Sequence, residues 1–237
     1  MMPDKKRVAV LISGRGSNLA ALIAASSEAD YPAQIAGVIS DRADAAGLKA
    51  AEAAGIGTIV IERKGFADKT QHDLAIDAAL AGFGAEIVAL AGYMRLLTPA
   101  FVDKWQGRMI NIHPALLPAF KGLDTHRQAL AAGVRLHGCS VHFVTRDVDD
   151  GPLIAQAAVP VLSDDTEAKL AARVLKAEHA LYPAALALVC EGRARMENGR
   201  AVLDLRGRME RSAGQMLLSP DLAEEGINIE DLARFTP

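Results

Sequence analysis

Between Arg7 and Ile112, short apolar runs rich in β-branched residues alternate with helix-like segments, and that alternation leaves very few folds open. The runs are Arg7–Ser13, Gln34–Asp41, Thr58–Ile61, Glu86–Ala91 and Arg108–Ile112. They are short and apolar almost throughout, as strands buried on both faces are. Between them, Ser17–Ser27, Ala43–Ala54, Asp68–Ala81 and the short Pro99–Trp105 read as helices, the last with proline at an accepted early position. Strands separated by helices at this spacing predict an α/β fold with a doubly wound, mostly parallel sheet.

The pattern changes after Ile112. Gly138–Thr145 and Pro152–Val161 flank the polar turn RDVDDG and predict an antiparallel extension of the sheet. A long helix follows over Thr166–Val189, with Leu170, Val174, Ala177 and Leu181 on one stripe and Asp164 or Asp165 as its cap. The Asn-Gly pair inside Arg195–Leu205 predicts a small hairpin. Residues 1–205 read as one domain, followed by a charged, weakly patterned tail (206–237) to which no role is assigned.

Apolar residues make up 51% of the chain and aromatic ones only 4%, so Ala, Val, Leu and Ile must fill the core. A net charge of −3 argues against nucleic-acid and membrane-surface partners. An anionic ligand therefore needs local donors. Cys139 and Cys190 match no metal or redox spacing, which fits a reduced, cytoplasmic setting. The apolar run before Ser13 is too short for a signal peptide, and no stretch approaches the roughly 20 apolar residues that span a bilayer.

Four segments carry candidate chemistry. Ser13-Gly14-Arg15-Gly16-Ser17-Asn18 joins the first strand to the first helix. Glycines there let the backbone approach a ligand, and a helix N-terminus suits a phosphate. The next small residue, Ala20, sits at a shifted spacing for a dinucleotide fingerprint, and the lysine of a P-loop is absent, so a monophosphate fits better than NAD or ATP. A plain tight turn capped by Ser17 is an equally good reading of this segment alone. Asn111 and His113 end the fifth strand two residues apart, so an amide donor and an imidazole face one pocket. Such a pair can hold an oxyanion and move a proton. Arg146-Asp147-Val148-Asp149-Asp150-Gly151-Pro152 is acidic but lacks a metal-ligand spacing, and without context reads as a solvated turn. Gly92-Tyr93-Met94-Arg95-Leu96-Leu97 offers apolar side chains for a slot that takes a flat ring, or is an ordinary strand-to-loop transition.

The segments LISGRGSNL, ALAGYMRLLTPAF, NIHPALLPAFKGLDTHRQAL, HGCSVHFVTRDVDDGP and AEHALYP, in this order over about residues 7–190, resemble the glycinamide ribonucleotide formyltransferases of purine biosynthesis. The resemblance implies a Rossmann-like formyltransferase domain, with a phosphate-binding half over about 1–105 and a catalytic and folate half over about 106–205. It implies 10-formyltetrahydrofolate as donor, phosphoribosylglycinamide as acceptor, and neither metal nor nicotinamide. Small molecules are then the partners, with monomer and homodimer both open. By position, His113 is the catalytic acid, Asn111 its partner at the tetrahedral intermediate, and Asp149 the carboxylate that sets the charge of His113. Gly16, Ser17 and Asn18 match the phosphate-side loop, and Glu178 an acceptor-site residue. Lys69, Met94, Arg95, Leu96, Leu97, Thr145, Arg146, Asp147 and Val148 match the folate slot. Some relatives carry lysine where Leu175 stands; Lys176, one place later, is the candidate replacement. The same residues would serve a formyl-folate hydrolase with water as acceptor. An initiator-tRNA formyltransferase usually carries a basic C-terminal domain that this sequence lacks, and a non-catalytic nucleotide sensor would not need Asn111, His113 and Asp149 together.

Overall fold

The computed structural model describes residues 5–204. Its strands are β1 (Lys6–Ile12), β2 (Ala33–Ser40), β3 (Thr58–Val60), β4 (Ile87–Leu90), β5 (Met109–His113), β6 (Leu136–Phe143), β7 (Leu153–Pro160), β8 (Ala194–Glu197) and β9 (Arg200–Leu203). Its α-helices are α1 (Ser17–Ser26), α2 (Ala46–Ala53), α3 (Lys69–Gly82), α4 (Pro99–Lys104), α5 (Thr125–Ala131) and α6 (Glu167–Cys190). The tail from 206 on, and Leu205 at the end of the expected hairpin, lie outside the described residues.

One seven-stranded sheet runs in the order β3-β2-β1-β4-β5-β6-β7. The first five strands are parallel, and β6 and β7 extend the sheet antiparallel. The chain winds outward from β1 to β3 and then returns to β1's other side as β4. The carboxyl ends of β1 and β4 thus diverge at a switch point, where open α/β sheets hold ligands. The small β8–β9 hairpin forms at the Asn-Gly turn, with both Asn198 and Gly199 at positive φ.

The continuous apolar runs have a two-sided cause. Val8, Val10 and Ile12 of β1 pack into one core with Leu19, Leu22 and Leu170 from α1 and α6. The alternate residues Ala9 and Leu11 pack into the other with Ile76, Leu80 and Phe101 from α3 and α4. Each fully buried Val, Leu or Ile contributes roughly 1.5–3 kcal/mol of transfer free energy, so neither face tolerates a polar residue.

Four local expectations are corrected. Thr166, not Asp164 or Asp165, caps α6 by accepting from the Lys169 N–H. Asp165 is instead buried against Arg173, with Nη1 at 2.6 Å. Helix α2 starts at Ala46 rather than Ala43, because Ala45 is extended and Arg42 pairs with Asp44 across the preceding turn. Helix α5 forms across THRQALA, for which no helix was expected; its Thr125 is buried and donates to the Pro114 carbonyl. Nor does Ser17 cap α1. Gly16 occupies that position at φ 74, and no side chain bonds there.

Gly16 is fixed by packing as well as by its dihedral. A Cβ on it would lie 2.4 Å from Gly47 Cα at the start of α2, and the Gly47 N–H donates to the Gly14 carbonyl. Gly16→Ala should therefore lower the unfolding free energy by about 1–3 kcal/mol in urea titration. Gly14→Ala, which meets nothing within 4 Å, should stay within about 0.5 kcal/mol. Equal midpoints would show that the loop is not braced against α2.

Candidate active site

Asn111 and His113 project from the same face of β5. Antiparallel pairing sets His142 of β6 opposite Asn111, and Asn111 Nδ2 lies 3.3 Å from His142 Nε2. The turn between β6 and β7 then folds back over this face. Asp149 sits in it at φ 51, and Gly151 approaches so closely that a Cβ there would lie 1.7 Å from the Phe143 carbonyl oxygen. This fold-back carries Asp149 Oδ2 to 3.3 Å from His113 Nδ1, and Oδ1 to 3.7 Å from His142 Nε2. The Gly122 N–H also donates to Asp149 Oδ2, at 3.0 Å.

His113 is buried with an acceptor at each ring nitrogen, since Nε2 lies 2.9 Å from the Phe120 carbonyl oxygen. A doubly protonated ring donates to both. His142 has its Nδ1 against the Phe143 carbonyl oxygen at 2.9 Å. That contact puts a proton on Nδ1, and Nε2 faces both the Asn111 amide at 3.3 Å and Asp149 Oδ1 at 3.7 Å. The Asn111 amide thus meets His142 on one side and has hydrogen-bonding capacity left for a ligand oxygen. Burial pushes the Asp149 carboxyl up, but the His142 ring, the Gly122 N–H and the His113 ring outweigh it and hold the group below its ordinary value of 3.8.

The exit from β5 is anchored. Ser140 donates to the Ala115 carbonyl at 2.7 Å and accepts from the Leu117 N–H at 3.0 Å, and the Gln156 amide donates to both Ser140 Oγ and the Leu117 carbonyl. The strand end that carries His113 is thus tied to β6 and β7.

A second cluster joins the loop after β1 to α6. The Asn18 amide donates to Glu178 Oε2 at 2.7 Å. Glu178 is buried, and burial raises its pKa against the lowering effect of Asn18. Asn18 Oδ1 is buried and has no partner among the described residues. Gly16, Ser17 and Asn18 start α1, beside the Glu178 that Asn18 meets. Lys176 does not join them: it is exposed on α6, two residues from Glu178 and so about 200° round the helix.

The third group is apolar and open. Met94, Leu96 and Val148 are 69%, 64% and 52% exposed, and Leu123 beside Gly122 is 73% exposed. The loop 92–98 is held from below by the Met94 N–H on Ser13 Oγ (2.8 Å), by Lys69 Nζ on the Leu97 carbonyl (3.2 Å) and by the Thr98 N–H on Asp73 (2.6 Å). Lys69 is thus occupied under the loop. Arg146 pairs with Asp103 of α4 through Nε at 2.8 Å, Thr145 Oγ1 donates to the Asp147 carbonyl, and Asp147 is exposed. Among the described residues, no group of three or more His, Cys, Asp or Glu side chains is arranged to hold a metal ion, and no helix is long and apolar enough to cross a membrane.

His142 is the site residue that sequence reasoning missed. Its signal lies in the strand register, which sets it against Asn111 although the two are 31 residues apart.

A strand-end amide and imidazole held against a buried carboxylate, beside an open apolar slot, define a group-transfer site on an α/β sheet. The chain belongs to the formyl transferase family, whose model matches residues 6–186. It is 54% identical over 197 residues to the human trifunctional purine biosynthetic protein adenosine-3, covering 83% of this chain and 20% of that protein. It is 45% identical over 197 residues to phosphoribosylglycinamide formyltransferase of Escherichia coli, covering 83% of this chain and 93% of that one. The solved structure of glycinamide ribonucleotide transformylase 1 from Symbiobacterium toebii superposes with a TM-score of 0.82 at 47% identity, over 84% of this chain and 95% of that one. The chain spans about a fifth of the length of the trifunctional relatives it matches.

Because its folded pKa is depressed, Asp149 adds stability that is present above the ordinary carboxylate range and is lost as pH falls through the folded value. Urea midpoints should therefore drop below pH 3.8, and Asp149→Asn should flatten part of that drop. At neutral pH, Asp149→Asn should cut kcat about 100-fold or more. Unchanged acid sensitivity together with near-normal kcat would make the turn a solvated surface feature.

Proposed function

We propose that this chain transfers the formyl group of 10-formyltetrahydrofolate to the amine of phosphoribosylglycinamide, giving the N-formyl ribonucleotide and tetrahydrofolate. The observation that carries this reading is the buried His113–Asp149 contact beside Asn111, on a chain similar along most of its length to phosphoribosylglycinamide formyltransferases. The amine attacks the formyl carbon and charge develops on the formyl oxygen. The Asn111 amide stabilises that oxygen directly, and His113, whose two ring nitrogens already meet acceptors, contributes through its positive charge. As the tetrahedral intermediate collapses, the bond from carbon to folate nitrogen breaks. The proton that the attacking amine loses passes to the departing folate nitrogen through a water beside His113, so the ring ends the step as it began. Asp149 keeps a negative charge beside the imidazolium throughout.

In this reading Gly16, Ser17 and Asn18 meet the acceptor, with the N-terminus of α1 toward its phosphate and Glu178 on its glycinamide side. Lys176 would have to reach round α6 to assist. Met94, Arg95, Leu96 and Leu97, with Thr145, Arg146, Asp147 and Val148, flank the folate ring, whose flat apolar faces suit side chains left open to solvent, and Lys69 supports that loop. Residues 1–205 act as one formyltransferase domain with the halves given above, working in the cytoplasm on small molecules and without a nucleic-acid partner. The proposed chemistry routes no step through a metal or a nicotinamide.

Mixing the protein with the formyl-folate donor, with and without phosphoribosylglycinamide, separates this reading from its nearest rival. Loss of the formyl group should require the acceptor and yield one formylated ribonucleotide per tetrahydrofolate. Equal turnover without acceptor would make the protein a hydrolase.

A further inference from the structure

Asp41 follows β2, at the same edge of the sheet as Ser13 and Tyr93. Its side chain is 2% exposed, which is costly for a carboxylate unless an opposite charge meets it. Arg95 supplies that charge from the loop after β4, with Nε 2.6 Å from Asp41 Oδ2. The nearer arginine in sequence, Arg42, is taken by Asp44 through Nε at 3.0 Å. Asp41 Oδ1 and the Tyr93 hydroxyl are both buried and have no partner among the described residues. Burial first, and then the charges of Asp41 and Asp73, push the Tyr93 hydroxyl's pKa up, so it stays a neutral donor. Asp73 already accepts the Thr98 N–H.

Arg95 itself is half exposed, and among the described residues its bond runs through Nε, which leaves both terminal nitrogens for a ligand. An arginine at the lip of an open loop has much rotamer freedom to lose on binding. An anchor on Nε removes that loss beforehand and keeps the guanidinium plane in one place.

We propose that Asp41 is a positioning residue for the formyl donor: it holds Arg95 so that the guanidinium meets an acceptor oxygen of the folate, a carbonyl or a carboxylate. This rests on the reading of the loop 92–98 as the donor slot. Asp41 touches neither substrate in this account. It acts through Arg95, and its effect falls on donor binding and not on the chemical step.

The test is steady-state kinetics of the full chain with both substrates varied, for Asp41→Ala, Asp41→Asn, Arg95→Ala and the double variant Asp41→Ala/Arg95→Ala. Asp41→Ala should raise the donor KM about 3- to 10-fold, with kcat and the acceptor KM within about twofold. Asp41→Asn keeps an acceptor for Nε at the same shape and should restore part of the donor KM. The double variant should be no worse than Arg95→Ala, because the two residues act as one device. A donor KM unchanged in both Asp41 variants, or a double variant whose losses multiply, overturns the proposal. So does a loss of thermal stability in Asp41→Asn with an unmoved donor KM, since Asp41 would then serve the fold alone. A wild-type chain that transfers no formyl group overturns the functional reading and this proposal with it; an active wild type with insensitive Asp41 variants overturns only the proposal.

Discussion

The edge of the sheet that carries the candidate site depends on keeping one buried carboxylate charged. Asp149 sits under a turn, only 11% exposed, and a carboxylate in such a place costs several kcal/mol unless donors surround it. The donors come from three separate segments: His113 from β5, His142 from β6, and the Gly122 N–H from the loop before α5. Meeting that one requirement fixes the spacing of β5 and β6 at the site, the path of the loop 120–122, and the left-handed backbone at Asp149. Gly151 is glycine because the fold-back leaves no room for a Cβ against the Phe143 carbonyl.

Two acidic groups of the cleft are driven in opposite directions by their surroundings. Asp149 has several donors and is held low, whereas Glu178 has the Asn18 amide and is raised by burial. In the proposed reaction the same contrast separates their roles. A carboxylate that stays ionised suits a partner for imidazolium, and one that readily takes a proton suits hydrogen bonding to a neutral amine or amide. Tyr182 of α6 donates to the Leu90 and Ile110 carbonyls, so the helix that carries Glu178 is tied to the strands that carry the other two groups of side chains.

Much of this was legible in the chain. Strands buried on both faces leave unbroken apolar runs, so the parallel half of the sheet could be read from Arg7 to Ile112. Asn111 and His113 were visible because period-two spacing at a strand end puts two side chains on one face. Asp149 became a site residue only through the family resemblance, since on its own RDVDDG reads as a solvated turn. What escaped notice depends on register and tertiary contact. His142 joins the site by strand pairing with Asn111. Gly47 matters because α2 starts against Gly16. Asp41 matters because a loop more than fifty residues away returns an arginine to it. Helix α5 escaped because its seven residues are too few for a periodic apolar stripe.

The central claim is that His113 and Asp149 work as one unit, and a double-mutant cycle on kcat tests it most directly. His113→Asn, Asp149→Asn and the double variant are measured at saturating concentrations of both substrates. If the carboxylate acts only by keeping the imidazolium charged and oriented, the double variant loses about as much kcat as His113→Asn alone. Losses that multiply, so that removing Asp149 costs as much without the imidazole as with it, would contradict the account.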